Sequence, residues 1–101
     1  MARRVVWSPE ALADLADIYH YIKLERPRAA KKVADRLRNL AKSIPDQPWI
    51  GVKCLEHDRD DIRQRIDGKY RLIYQLVGED EIRILQIFHS RRDELPDLKL
   101  S

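Results

Sequence analysis

The side chains with chemical capacity crowd into the second half of the chain. Arg63, Arg65 and Arg71 lie in β-prone stretches, and His89-Ser90-Arg91-Arg92-Asp93 follows a third such stretch. Guanidinium forks match phosphate oxygens, and an imidazole can carry a proton near neutral pH. Cleavage of RNA by its own 2′-hydroxyl needs a proton acceptor, a proton donor and positive charge around the phosphorane. His89 could supply the proton transfer, with Arg63, Arg65, Arg71, Arg91 and Arg92 as the phosphate-binding charge. No other acid–base pair stands out. Simpler uses are also open to these residues. His89 could cap a strand by hydrogen bonding, and Arg91 and Arg92 could be solvated or pair with Asp93 and Glu94. Arg71 could pair with Asp61 or Glu81.

Other chemistries find no support. The single cysteine, Cys54, cannot close an internal disulfide. His20, His57 and His89 are far apart and lack the thiol partners of a zinc site, so neither a metal nor another cofactor is expected. No run approaches the roughly 18–20 apolar residues that cross a bilayer. With no signal-type apolar stretch at the N-terminus, a cytoplasmic protein without membrane contact is expected. The 20 Lys and Arg against 17 Asp and Glu give a formal charge of +3. That excess is mild and matters only where it is concentrated.

At 101 residues the chain suits one hydrophobic core, and a single domain spanning 1–101 is expected, with a polar tail from about residue 90. Residues 3–7 form a short β-prone run. Ser8-Pro9 then suits an N-cap and a first helical position. Leu12, Leu15, Tyr19 and Ile22, joined by Ala11 and Ile18, recur at helical spacing to about Glu25, with Asp14 and Asp17 mostly on the other side. Pro27 opens a second helix whose stripe runs through Ala30, Val33, Ala34, Leu37, Leu40, Ala41 and Ile44, ending at Pro45. So short a connection predicts an antiparallel helical hairpin. The exposed side of the second helix carries Arg28, Lys31, Lys32, Arg36, Arg38 and Lys42, a solvated face or a partner surface.

Residues 45–61 read as a long loop, tacked to the core by Trp49, Ile50, Val52 and Leu55, and a loop of that length is a candidate contact region. Strands follow at 62–66, 70–77 and 81–88, joined by turns at Asp67-Gly68 and Gly78-Glu79-Asp80. The expected fold is α+β: a short N-terminal strand, a helical hairpin, then a three-stranded antiparallel meander with the helices on one face. A three-residue loop at Asp67-Gly68 would put Ile62 and Ile66 under the helices and Arg63, Arg65 and Arg71 together on the open face. A two-residue loop would instead set Arg63 and Arg65 beside Leu72 and Tyr70. Burying guanidinium groups without partners is costly, which favours the first register. Alternation in the last strand is broken, and does not say which way His89 points.

These residues resemble a known group. Trp7-Ser8-Pro9-Glu10-Ala11 with Asp14-Leu15, Ile18 and Tyr21-Ile22 resembles the opening of ParE-type toxins. Tyr70-Arg71-Leu72-Ile73-Tyr74 with His89-Ser90-Arg91-Arg92-Asp93 resembles the shared RelE/ParE superfamily pattern. The resemblance covers nearly the whole chain and implies a type II toxin held inactive in a hetero-oligomer with a cognate antitoxin. Such an antitoxin would be an acidic partner that folds as it binds. RelE-like members cut mRNA on the ribosome without metal, using basic residues on the sheet; Arg63, Arg65, Arg71 and Arg92 match those positions, but no tyrosine follows Tyr74. ParE-like members poison DNA gyrase. The first helix and the His-x-Arg-Arg-Asp ending are closer to ParE. A third possibility is a non-toxic nucleic-acid-binding module using the same basic face.

Overall fold

The computed structural model describes residues 3–53 and 59–89. Strand β1 (Arg4–Trp7) leads into helices α1 (Pro9–Lys23) and α2 (Pro27–Ser43), and a 3-10 turn (Ile44–Asp46) closes the second. Then come β2 (Val52–Lys53), β3 (Ile62–Asp67), β4 (Tyr70–Val77) and β5 (Glu81–His89). The five strands form one sheet in the order β1-β5-β4-β3-β2, antiparallel except that β1 runs parallel to β5. The expected α+β architecture forms, with two additions within the presumed loop, the 3-10 turn and β2.

Ser8 starts α1 as the sequence suggests. Its hydroxyl accepts from the Ala11 amide at 3.0 Å and donates to the Leu85 carbonyl at 3.0 Å, so one side chain both caps the helix and ties it to β5. Its own amide donates to the Ile84 carbonyl at 3.0 Å. The buried stripe of α1 is turned from the expected one: Ala11 and Leu15 are buried, while Leu12 is exposed. Asp14 therefore faces the sheet, and accepts the Ile87 amide at 2.9 Å just beyond the stretch of β5 that β1 covers. Helix α2 buries Ala30, Ala34, Leu37 and Ala41 as expected, and its three alanines let it lie close to its neighbours. The main core joins Ala34, Leu37 and Ala41 to Leu72, Tyr74, Leu76, Ile82, Ile84 and Ile87 on the sheet.

The hairpin between β3 and β4 departs from expectation. Asp67 pairs with Tyr70, leaving a two-residue loop, Gly68-Lys69, rather than three. Gly68 sits at φ 60, open to glycine without a Cβ clash, and it occupies the first loop position. The register moves by one, so Arg63 pairs across from Tyr74 and Arg65 from Leu72, on the helix side. Arg71 pairs across from Ile66 on the opposite face.

A β-bulge explains the broken alternation of β5. Ile73 pairs with Gln86 and Tyr74 with Ile84, so Leu85 is the extra residue. Ile82, Ile84 and Ile87 can then all reach the helix-side core, while Leu85 and Phe88 join Ile62 and Ile73 in a second apolar cluster on the far face.

Candidate functional site

The expected site was one open face holding Arg63, Arg65 and Arg71 around His89. The sheet divides these residues instead. Arg63 and Arg65 belong to the helix side of β3, and Arg71 to the far side of β4. His89 pairs across from Tyr70, so it lies on the helix side, away from Arg71. Its ring meets that of Tyr70 edge to face, with centroids 5.1 Å apart. Arg91 and Arg92 fall outside the described residues.

Arg63 is fully engaged in holding the segment before β2. Its guanidinium donates to the carbonyls of Gly51 at 2.9 Å, Asp60 at 3.0 Å and Trp49 at 3.4 Å. It also lies 5.0 Å from the centroid of the Trp49 ring, within cation–π range. The cost of turning an arginine toward the helix side, which had argued against this register, is met by backbone carbonyls rather than by a carboxylate. Arg65 makes no hydrogen bond or ion pair among the described residues, and its charge acts on the Tyr74 phenol.

Tyr74 is the polar centre of this corner. Its buried hydroxyl donates to the Pro48 carbonyl at 2.8 Å and accepts the Gly51 amide at 3.2 Å. Burial pushes the phenol up from its usual range; the Gly51 hydrogen bond and the charges of Arg65 and Arg63 oppose that rise without cancelling it. A Cβ on Gly51 would collide with the Tyr74 ring and hydroxyl and lie 2.8 Å from the Gln64 carbonyl. The expected anchors of the segment reverse their role: Trp49, Ile50 and Val52 are exposed. Leu55 lies outside the described residues. The sequence showed Tyr74 only as a strand residue; the nearby Gly51 between apolar neighbours was the one hint of close backbone approach.

On the far face Arg71 donates through Nε to the Gln64 side-chain oxygen at 2.8 Å. Neither proposed carboxylate partner takes it. Asp61 pairs with Arg59 at 2.6 Å, and Glu81 with Arg83 at 2.8 Å. For Asp61, burial favours the neutral acid, but hydrogen bonds from Arg59 and Gln75 and the Arg59 charge outweigh it and hold the carboxyl below its usual range.

His89 and Tyr70 line a cleft of about 520 Å³ at the tip of the helical hairpin, with Tyr21, Ile22, Arg26, Val33, Arg36 and Lys69. Arg36 donates to the Asp67 carboxylate across it, joining α2 to the β3–β4 loop. Along α2, Lys31 and Arg38 share Asp35, at 3.1 and 3.3 Å. Among the described residues no group of three His, Cys, Asp or Glu side chains could hold a metal ion. No helix among them is long and apolar enough to cross a membrane.

The arrangement offers exposed aromatic, aliphatic and cationic surfaces for contact, and among the described residues Arg63 and Arg65 lie on one face of the sheet and Arg71 on the other. Comparison with known proteins agrees with the fold. The family model described as the ParE toxin of type II toxin-antitoxin system, parDE, matches residues 5–94. The protein named Toxin RelE2 from Caulobacter vibrioides is 32% identical over 89 residues, covering 88% of this chain and 97% of that protein. Among solved structures, the chromosomal ParDE toxin–antitoxin system from P. aeruginosa is similar with a TM-score of 0.71 at 24% identity, over 87% of this chain and 96% of that one. The toxin–antitoxin complex RelBE2 from Mycobacterium tuberculosis follows at 0.66 and 20%, over 88% and 99%. The chain belongs to the ParE toxin family, within the RelE/ParE superfamily of type II toxins.

Proposed function

We propose that this toxin arrests growth by binding DNA gyrase, and that a cognate antitoxin encoded beside it holds it inactive. One geometric observation carries the choice of target. An RNA-cleaving site needs proton transfer and phosphate-binding charge within reach of one phosphate. Here His89 and Arg71 lie on opposite faces of the sheet, and Arg63 is engaged by backbone carbonyls. A toxin that works by gripping a protein needs no such convergence. The match to the ParE family model points the same way.

The other reading, a metal-free RelE-like endoribonuclease, draws on the relative named RelE2 and on Arg71 beside Gln64 on the face away from the helices. Induced expression decides between them. Gyrase-dependent DNA breaks with intact mRNA are expected. Codon-phased mRNA cuts on the ribosome would remove the gyrase assignment. Arg71→Ala sharpens the comparison: a nuclease that lost one transition-state donor would slow by about 2.7–4 kcal/mol. A gyrase poison is expected to keep its potency.

A further inference from the structure

We infer that residues 90–101 fold back over the sheet face opposite the helices and roof its centre. The observation is one of burial. Ile62 and Ile73 belong to that face, yet they are only 3% and 1% exposed. On the same face Val52 and Ile66 are 59% and 60% exposed. Strand side chains stand roughly perpendicular to the sheet, so neighbours within it flank an isoleucine without closing its top. The apolar neighbours of this pair among the described residues, Leu85 and Phe88, are both of that kind. Both helices pack into the core on the other side. The roof must come from elsewhere. Because the burial is nearly complete within one chain, it belongs to this chain rather than to a partner.

Two segments lie outside the described residues near this face, and reach separates them. Residues 54–58 are tied between β2 and Arg59, at the edge of the sheet. Ile73 lies two strands further in, about 10 Å from β2, between Gln64 of β3 and Gln86 of β5. The segment 90–101 departs instead from β5, the strand beside Ile73. His89 pairs across from Tyr70, so doubling back by roughly 10 Å brings the chain level with Ile73. Twelve residues can extend up to roughly 40 Å, which is ample.

The segment also has the right side chains. Leu95, Leu98 and Leu100 stand among mostly polar and charged neighbours. Setting leucine against isoleucine removes apolar surface of both from water, which drives the closure. Arg71 is on the same face, across from Phe88 and close to where the segment departs. The face that an RNA-cleaving site around Arg71 would need is then occupied by the chain itself. The inference holds whichever target the toxin has.

Methyl NMR on the full chain tests it. Cross-relaxation is expected between the methyl groups of Leu95, Leu98 or Leu100 and those of Ile62 or Ile73, unchanged on dilution. Its absence overturns the inference. So does its loss on dilution, which would assign the roof to a second copy, or its replacement by contacts from Leu55, which would assign it to residues 54–58. The triple variant Leu95→Ser, Leu98→Ser, Leu100→Ser gives an independent reading with a soluble paramagnetic probe. Ile62 and Ile73 are expected to become as accessible as Ile66, while Ile84 in the helix-side core stays protected. Ile73 protected as in wild type overturns the inference. A variant that also exposes Ile84 has unfolded, and the wild-type contacts then decide alone.

Discussion

Tyr74 shows how one side chain can determine whether a surface exists. Its ring belongs to the main core, while its hydroxyl serves two backbone groups of a segment far away in sequence. Tyr74→Phe keeps nearly all the packing and leaves the Gly51 amide and the Pro48 carbonyl without that partner. Stability should fall by about 1–3 kcal/mol, read as a lower urea midpoint with an unchanged slope. Wild-type urea stability in Tyr74→Phe would show that water replaces the phenol at no cost. Neither role was legible in the sequence, where Tyr74 and Arg63 are simply an apolar and a charged position in two strands. Their partners are backbone atoms, which no residue type announces.

The elements were more legible than their registers. Both helices, their proline starts and the three meander strands could be read from spacing, because periodic burial writes itself into residue type. The Gly68-Lys69 loop and the Leu85 bulge could not, since each shifts pairing by one residue without altering composition. That single step moved Arg63 and Arg65 to the helix side and undid the expected arginine cluster. Asp14 tests how α1 docks on β5. Burial raises its carboxyl above the ordinary 3.8, the Ile87 amide opposes the rise, and Asp17 and Glu10 add to it. An acid whose folded-state value is raised binds more protons folded than unfolded. Its stability contribution is therefore full below 3.8 and is lost as pH climbs through the raised value. Asp14→Asn keeps an acceptor for Ile87 and removes the titration. The stability of this variant relative to wild type should rise with pH across that window and level off above it. A difference that is flat or falls with pH, measured by urea melts at several pH values, would show that the Ile87 hydrogen bond outweighs burial.

For the whole molecule the relevant quantity is where the formal +3 resides. On α2, Asp35 occupies Lys31 and Arg38, and Asp67 occupies Arg36. Arg28, Lys32 and Lys42 are exposed on the same helix with no carboxylate partner among the described residues. An acidic antitoxin approaching from solution would meet that unneutralised charge before making any close contact, so the charge should act on the encounter more than on the finished complex. Reversing two cations, Lys32→Glu with Lys42→Glu, leaves the core untouched because both side chains point to water. The association rate constant should drop by roughly tenfold at low salt, and the gap should close at 1 M, where screening reaches about 3 Å. Dissociation should change little, since long-range charge acts on encounter more than on close contacts once made. Stopped-flow association at several salt concentrations separates the two effects. If wild type and the reversed variant show the same salt dependence, the antitoxin approaches from elsewhere, and the basic stripe of α2 is only a solvated helix face.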